Sequence, residues 1–430
     1  MFPEVPALPS DESFLRKLGT SCVVEDAVTG ADKRYDATGA AGWTVIGQFI
    51  AHDITADRSP LVDRANVEAL ENVRRQKLNL EFLYGSGPAG DPYLYDVTDT
   101  AKVLLGSNDA GNADDLQRNR QGIAIIADPR NDSHLLVSQM QVLFFKFHNR
   151  IVDWLREKGT PEQRIFAEAQ RLVQWHYQWI ILHEFLPELI GDALTNALLA
   201  GDTRYYRPAP DPFIPLEFAD AAYRYGHGQL RESYRLNSAS GAVPLFPDLL
   251  GFRAVPASRV VEWAEFFDVP GHAPAQRAKK MDGLVCTSIM KLPLALTGDV
   301  EVAAFHSLAA RDLQRGHAVG LPSGEDIAQH IGATPLTREQ IGLRSLGWDS
   351  DTPLWYYVLK ESEVQCSGDR LGEVGGRIVG EVLVGLLDHD ASSFRASRPH
   401  WHPELPSRVA GTFTMADLVM LACGDSPSIR

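Results

Sequence analysis

The chain has 430 residues, of which 44% are hydrophobic and 23% charged, as in a globular protein with one large domain or two to three average ones. Its 41 lysines and arginines against 56 acidic residues give a formal net charge of −15, which argues against nucleic acid or an anionic membrane as a partner. The cysteines are dispersed without CxxC spacing and indicate neither a disulfide framework nor a zinc site: Cys22, Cys286, Cys366 and Cys423.

Two segments bear on cellular location. The first residues, MFPEVPALPSDESF, lack the basic start and the apolar run of a signal peptide. The most apolar stretch, QWIILHEFLPELIG, contains His183, Glu184 and Pro187, and it is shorter than the about 18 apolar residues of a membrane helix. We therefore expect a cytoplasmic protein without a membrane partner. The sequence does not indicate an oligomeric state.

The N-terminal third is predicted to contain two helices. Residues 1–42 are rich in Pro, Gly, Asp and Thr and predict an arm of turns that packs on the rest of the chain. A helix is predicted over 43–54, and mostly loop over 55–135. The segment LLVSQMQVLFFKFHNRIVDWLREK has apolar residues at helical spacing and predicts a long helix over about 133–157.

The remainder is also predicted to be helical. Thr160 as N-cap, Pro161 and Gln163 predict a capping box and a helix to about residue 190. Strand patterns are nearly absent, and no internal repeat occurs. The sequence thus predicts a mainly α protein with one large domain over 43–425 and long ordered loops. Further helices are expected at 217–230, 258–266, 300–313, 322–331, 336–345, 370–389 and 414–422, the last capped by Thr414.

Three motifs do not carry chemistry. GSGPAG at 85–90 matches a dinucleotide-binding pattern, but no helix pattern follows it, and we expect a loop. HEFLPEL begins like the HExxH motif of zinc proteases, but it lacks the second histidine and is interrupted by Pro187, so we do not expect a zinc protease. His176 and His183, seven apart on one helix, are expected to be hydrogen-bonded core histidines.

The segment GQFIAHD places polar residues on two faces of one helix. Gln48 and His52 are four apart and share a face, whereas Asp53 is rotated by about 100°. One interpretation is a core helix whose polar groups are satisfied. The other is a catalytic pocket on one face and a cation on the other.

Three later segments add residues of the same kind. Arg130 precedes the long helix, His227 follows the small residue Gly226, and Asp312 and Arg315 are three apart on a predicted helix. Taken singly, His227 would be interpreted as a hydrogen-bonded core histidine and Arg130 as part of a salt bridge at the start of a helix. Asp312 and Arg315 would be interpreted as a surface ion pair. Their joint occurrence favours a site.

In this order the segments resemble the animal haem peroxidase family of the peroxidase–cyclooxygenase superfamily. The resemblance extends from about residue 40 to 425. It includes LYGSGP, FHNR, RYGH, LQRG followed by GLPSG, and GRIVGEVLVGLL. The resemblance implies a single helical haem-peroxidase domain over 43–425, with residues 1–42 as an N-terminal arm.

The resemblance assigns the distal residues. His52 would be the distal histidine, Arg130 the distal arginine and Gln48 a residue that contacts water or small anions. A neutral imidazole can move a proton between the two oxygens of a peroxide. A fixed guanidinium stabilises the charge on the departing oxygen.

The resemblance also assigns the proximal residues. His227 would be the ligand of the haem iron, and Asp312 would hydrogen-bond its ring where many relatives carry asparagine. A carboxylate partner increases the imidazolate character of the ligand. Arg224 and Arg315 would meet the haem propionates.

Two positions depart from the pattern of the mammalian relatives. Ala51 and Ser133 occupy the positions of the aspartate and glutamate that form ester bonds to haem. Neither residue can form an ester, so we expect non-covalent haem b. His134 follows, where one relative uses methionine for a third link, and its only expected role is a hydrogen bond.

A calcium site is implied at Asp53, with oxygens of Asn79 and Glu81 as further ligands. Calcium prefers six to eight oxygen ligands, several from carboxylates, and this loop offers few. The alternative is that Arg75 or Lys77 neutralises Asp53 directly.

The expected activity is that of a haem-dependent peroxidase, which uses hydrogen peroxide and a ferryl intermediate to oxidise an aromatic organic donor or a soft halide. One alternative is a fatty-acid dioxygenase or cyclooxygenase-like enzyme. Such relatives carry a tyrosine three residues before the proximal histidine, where this chain has Arg224; Tyr225 is one residue too late. The other alternative is a haem-binding sensor or scaffold without catalysis.

Overall fold

The structure is a computed structural model that describes residues 1–24, 33–56, 72, 74–208, 211–298 and 303–424. Its architecture is mainly helical, as predicted. No helix in these ranges is long and apolar enough to cross a membrane. The α-helices are α1 (Glu12–Ser21), α2 (Gly42–Ile54), α3 (Glu81–Tyr84), α4 (Gly87–Gly90), α5 (Leu135–Glu157), α6 (Glu162–Ile180), α7 (Leu186–Ile190), α8 (Asp192–Leu199), α9 (Leu216–Ala219), α10 (Thr287–Met290), α11 (Leu294–Thr297), α12 (Leu308–Ala318), α13 (Gly324–Ile331), α14 (Arg338–Ile341), α15 (Leu354–Cys366), α16 (Glu373–Asp388), α17 (Phe394–Ser397) and α18 (Met415–Cys423).

Short strands form three two-stranded sheets in the described residues. The first sheet is parallel and the other two are antiparallel. Their strands are β1 (Val23–Val24) with β6 (Val285–Cys286), β2 (Asp36–Ala40) with β5 (Arg277–Lys279), and β3 (Ser233–Arg235) with β4 (Ala242–Pro244). A π-helical turn, Ile181–Phe185, joins α6 to α7, and 3₁₀ turns include Pro129–Asp132 and Ala222–Gln229.

The core forms around α5. This helix packs against α2, α6 and α18, and its side chains Phe144 and Phe147 are fully buried. Helix α16 lies against α8, where a Cβ at Gly380 would come within 2.5 Å of Leu198 Cδ1. Glycine at this position therefore lets the two helices approach closely.

The predicted N-terminal arm contains a helix in addition to turns. Helix α1 packs along α12, and the Ser307 hydroxyl at the start of α12 donates a hydrogen bond to the Gly19 carbonyl at 2.8 Å. A Cβ at Gly19 would lie 2.4 Å from Ala310 Cα. The N-terminal residues thus support the helix that carries Asp312.

Several local predictions differ from the structure, among them the helix predicted at 217–230, which is α9 followed by a 3₁₀ turn. The predicted helix 258–266 is two 3₁₀ turns, because the amides of Val261 and Glu262 bond to Gln139 Oε1 and the Leu236 carbonyl, outside any helix. Helix α15 was not predicted, since its first six residues are all buried and show no one-sided apolar stripe. Helix α6 begins at Glu162 without the side-chain cap predicted at Thr160.

Candidate active site

A cavity of about 460 Å³ brings together five of the seven residues predicted for the haem site. It lies between α2, the 3₁₀ turn before α5, the start of α5, the turn Ala222–Gln229 and α12. Five predicted residues line it: Gln48, His52, Arg130, Arg224 and His227. Most of the other lining side chains are apolar, and no Asp or Glu is among the described lining residues.

His52 is held by an amide pair. Its Nδ1 lies 2.6 Å from Asn131 Oδ1, and Asn131 Nδ2 donates to Gln141 Oε1 at 2.8 Å. Because the Asn131 amide nitrogen donates to Gln141, Oδ1 is the acceptor and His52 Nδ1 carries the hydrogen. The lone pair of His52 then lies on Nε2. Burial and the neighbouring Arg130 charge lower the pKa of His52 to about 4, so its ring is neutral at neutral pH.

Arg130 is fixed beside His52 by a carboxylate. Its Nη2 lies 2.7 Å from Asp128 Oδ2 and also donates to the His52 carbonyl at 3.0 Å. Arg74 donates to the same Asp128 at 2.5 Å. Burial opposes ionisation of Asp128, but the bonds from Arg130 and Arg74 hold its pKa well below the usual range. A fixed positive charge therefore stands next to the histidine.

His227 is paired with a buried carboxylate. Its Nδ1 lies 2.5 Å from Oδ2 of Asp312, which is fully buried on α12. Arg224 Nη1 lies 3.4 Å from the other oxygen of Asp312, and Arg224 Nε donates to the Ala219 carbonyl at 2.9 Å. With Nδ1 engaged, Nε2 is the His227 nitrogen available to a ligand in the cavity.

The α12 arginine that reaches the cavity is Arg311. Arg315, predicted to meet propionates, is not among the lining residues and lies 3.8 Å from Asp220. Arg311, one turn earlier, lines the cavity. The propionate role of Arg315 remains a prediction, and the placement favours Arg224 and Arg311 for it.

The sequence reasoning missed four residues of the site. Asn131 and Asp128 flank Arg130 in ADPRND, and their closeness to a predicted site residue was the available signal. Gln141 is a fully buried polar residue in an apolar helix, which is itself a reason to look for a partner. Arg311 is adjacent to Asp312, but on a helix adjacent residues point in different directions.

The implied calcium ligands do not assemble in the described residues. Asp53 Oδ2 accepts from the Leu80 amide at 3.0 Å, while its Oδ1 has no hydrogen-bond partner. Glu81 lies 3.8 Å from Arg75, and Asn79 Oδ1 accepts from the Glu81 amide. No group of three His, Cys, Asp or Glu side chains in the described ranges could hold a metal ion. Calcium binding at Asp53 therefore stays a prediction, and the described side chains give it no support.

The predicted neutralisation of Asp53 by a neighbouring cation is also not observed. Lys77 pairs with Asp390 at 2.7 Å, and Arg75 faces Glu81. Burial instead raises the pKa of Asp53 to about 8, against smaller opposing effects of the Leu80 amide and Arg74. Asp53 is therefore mostly protonated at neutral pH.

Residues 82–341, more than half of the chain, match the family model described as animal haem peroxidase. The chain belongs to the animal haem peroxidase family. The matched segment contains Arg130, His227 and Asp312, whereas Gln48 and His52 precede it.

Individual relatives agree with this family. The chain is 26% identical over 290 residues to the chorion peroxidase of Drosophila melanogaster, covering 64% of this chain and 34% of that protein. The chain spans 27% and 37% of the length of two further relatives, peroxidase mlt-7 of Caenorhabditis elegans and the chorion peroxidase of Aedes aegypti.

Two solved structures share the fold. Peroxidase A from Dictyostelium discoideum has a TM-score of 0.66 at 14% identity, covering 100% of this chain and 91% of that chain. A fatty acid alpha-dioxygenase from Oryza sativa has a TM-score of 0.61 at 14% identity, covering 88% and 72%.

The family implies haem, and the cavity fits it. The mostly apolar lining suits a flat macrocycle, and His227 lines the same cavity with Nδ1 bonded to Asp312, which leaves Nε2 as its remaining ring nitrogen. Arg224 and Arg311 offer cations for two carboxylates where the described lining has no acidic side chain. Gly226 also lines the cavity, and a Cβ added there would have only Thr44 Cγ2 within 4 Å, at 3.9 Å. The glycine therefore leaves space beside His227.

Proposed function

We propose that this protein is a hydrogen-peroxide-dependent peroxidase that oxidises an aromatic organic donor. The observation that carries the proposal is the state of His52: neutral, fixed by Asn131 through Nδ1, with Nε2 as its basic nitrogen and Arg130 held beside it. In the overall reaction, hydrogen peroxide takes two electrons and two protons from the donor and leaves as two waters.

His52 moves the proton that O–O cleavage requires. Its Nε2 accepts a proton from one peroxide oxygen and returns it to the other, which leaves as water. Arg130 stabilises the negative charge that develops on the departing oxygen, and its bonds to Asp128 and to the His52 carbonyl hold it there throughout.

His227 and Asp312 hold the other side of the site. When bound, haem would supply the iron and the electrons that cleavage of the O–O bond requires. Asp312 accepts the Nδ1 hydrogen of His227, which fixes the ring and makes Nε2 a stronger electron donor. The Arg224 guanidinium compensates the negative charge of the buried Asp312 carboxylate, with Nη1 3.4 Å from Oδ1.

We also propose that the haem is b-type and non-covalently bound. Ala51 and Ser133 line the cavity, and neither carries a carboxylate. Since the described lining contains no Asp or Glu, no side chain there can form an ester.

The apolar lining supports an aromatic donor over a halide. Leu136, Val137, Leu245 and Phe246 are among the residues that line the cavity, and a hydrated anion gains little from such side chains. Arg224 occupies the position of the oxygenase tyrosine, and its guanidinium is bonded to Ala219 and Asp312. The dioxygenase alternative predicts oxygen uptake with linoleate in the absence of peroxide.

The test is the absorption spectrum of haem-loaded protein before and after one equivalent of hydrogen peroxide. We expect a Soret band that changes on mixing, and we expect His52→Ala to slow the change by about 100-fold or more. His272→Ala is the matched control, because His272 is exposed and does not line the cavity. Acidified organic solvent should extract the haem intact from the same sample.

Two outcomes would contradict the proposal. If His52→Ala slows the change by less than about tenfold, the acid–base role of His52 is wrong. If the wild-type protein binds haem but does not respond to peroxide, the sensor or scaffold alternative is favoured.

A further inference from the structure

Arg74 links the end of α2 to the turn that carries Arg130. Its Nη2 donates to Asp128 Oδ2 at 2.5 Å, and the same oxygen accepts from Arg130 Nη2 at 2.7 Å. The side chains of Arg74 and Asp128 are 12% and 1% exposed. Asp128 therefore joins two arginines, and of these two only Arg130 is among the residues that line the cavity.

Asn72 fixes the backbone of Arg74 against α2. Asn72 Nδ2 donates to the carbonyl of Ile54, the last residue of that helix, at 2.8 Å. Asn72 Oδ1 accepts from the amides of Ala56, at 2.8 Å, and Arg74, at 3.1 Å. Since α2 also carries His52, this short segment connects that helix with the turn before α5.

The contacts of Arg130 leave one of its nitrogens for a ligand. Nε and Nη2 donate to Asp128, and Nη2 also donates to the His52 carbonyl. A guanidinium has five N–H groups, so the two on Nη1 remain. Because Arg130 is 34% exposed and lines the cavity, Nη1 is the nitrogen that we expect to contact an anion there.

Arg74 adds both rigidity and charge to this arrangement. Among the described residues, every other hydrogen bond that the Asp128 side chain accepts comes from Arg130, two positions later in the same turn. Without Arg74, the carboxylate and Arg130 could shift together, with one hydrogen bond to the His52 carbonyl as their link to α2. Two arginines and one carboxylate also leave one net positive charge, whereas Arg130 and Asp128 alone form a neutral pair.

We infer that Arg74 is a positioning residue for Arg130. It fixes Asp128, and through Asp128 it fixes the direction of the Arg130 guanidinium and keeps this part of the site net positive. The cavity therefore favours an anionic ligand beside His52. The inference rests on the proposed peroxidase function, in which Arg130 stabilises the charge on the departing oxygen.

The test is the Kd of haem-loaded protein for fluoride, a small anion, read from the Soret band at one fixed pH without peroxide. We expect Arg74→Gln to raise this Kd by about tenfold, or about 1.4 kcal/mol, because the charge-assisted hydrogen bonds from Arg130 to the anion are weakened. Arg74→Lys keeps the charge and a donor, so it should recover most of the affinity. Arg75→Gln is the matched control, because it removes the same charge from a side chain that is 74% exposed and lies near Glu81.

A double-mutant cycle shows whether Arg74 acts through Arg130. Arg130→Gln should weaken fluoride binding at least as much as Arg74→Gln does. Adding Arg74→Gln to Arg130→Gln should then change the Kd by less than about twofold, because the group that Arg74 positions is already absent. A full effect of Arg74→Gln in the absence of Arg130 would overturn the inference.

Two other results would also contradict it. One is an equal fluoride Kd in Arg74→Gln and Arg75→Gln. The other is an Arg74→Gln protein with a lower Tm or faster loss of haem that, once haem-loaded, binds fluoride as wild type does, because Arg74 would then only stabilise the fold. A wild-type protein without a peroxide response would defeat the peroxidase proposal, while the fluoride comparison would still decide the role of Arg74.

Discussion

The two site histidines differ in the residue that each one hydrogen-bonds. His52 meets the amide of Asn131, whereas His227 meets the carboxylate of Asp312. An amide fixes the tautomer without adding charge, so His52 stays a neutral base. A carboxylate favours a positively polarised ring and strengthens Nε2 as an electron donor. The same side chain thus serves as proton carrier at one position and as prospective iron ligand at the other.

Replacing the amide by a carboxylate should change the pH dependence of the peroxide reaction. A carboxylate at Asn131→Asp favours the protonated imidazole and should raise the pKa of His52 from about 4 by about 1–3 units. Protonated His52 cannot accept the peroxide proton, so the acid limb of the rate profile should move to higher pH. The measurement is the rate of the Soret change across the pH range.

Asn131→Ala is the control for that shift. It removes the hydrogen bond without adding charge, so the rate should fall while the acid limb stays at low pH. An acid limb at the same pH in Asn131→Asp and wild type would show that His52 is not the titrating base.

At the scale of elements, the contact between α1 and α12 connects the N-terminal segment to the proximal side of the site. Gly19 and Ala310 meet closely there, and α12 carries Asp312 two residues later. A Cβ at position 19 would strike backbone atoms of α12, which cannot move aside as a flexible side chain can. The position of Asp312 therefore depends on the packing of α1, which lies almost 300 residues earlier in the sequence. The hydrogen bond from Ser307 to Gly19 joins the same two helices across 288 residues.

Gly19→Ala should destabilise the fold, although alanine normally favours a helix by about 1 kcal/mol over glycine. The clash with α12 should cost about 1–3 kcal/mol and outweigh that gain. We expect a Tm lower by a few degrees and faster loss of haem as Asp312 shifts from His227. Gly241→Ala is the matched control, because nothing lies within 4 Å of a Cβ there. A Gly19→Ala protein as stable as wild type would mean that the two helices separate without cost.

For the whole molecule, Asp53 couples stability to pH. This carboxyl is 1% exposed and lies beside the buried Tyr177 hydroxyl, and no cation pairs with it among the described residues. With a folded pKa of about 8 against an ordinary value of 3.8, the folded protein keeps this proton between about pH 4 and pH 8 while the unfolded chain has lost it. The free energy of unfolding therefore falls as pH rises through this window.

Asp53→Asn should remove this dependence, because the amide has a similar shape and no charge to lose. Relative to wild type, we expect the Tm of Asp53→Asn to rise by several degrees between pH 5 and pH 8, and EDTA to change neither Tm. Asp211→Asn, at an exposed position, removes one carboxylate as a control. A strong loss of Tm on chelation would show that a metal ion binds after all.

Much of this arrangement was readable from the sequence because it depends on local patterns. Apolar spacing predicted α5, helices were also expected where α2 and α16 lie, and the capping signal at Thr414 corresponds to the observed capping box of α18. The segments with His52, Arg130 and His227 indicated the family, and the structure brings these residues to one cavity.

Only the tertiary structure decided which side chains meet across the chain. Asn131 bonds to His52 from 79 positions away, a pairing that no local spacing indicates. Arg311 and Arg315 are one turn apart on α12, so the sequence alone does not tell which of them lies at the cavity. The position of α12 in the fold places Arg311 there. In the described residues, Arg75 pairs with Glu81 and Lys77 with Asp390, so neither cation neutralises Asp53, and burial raises the pKa of Asp53. Periodicity fixes which face of a helix is apolar, whereas the contacts of a polar side chain depend on how distant elements pack.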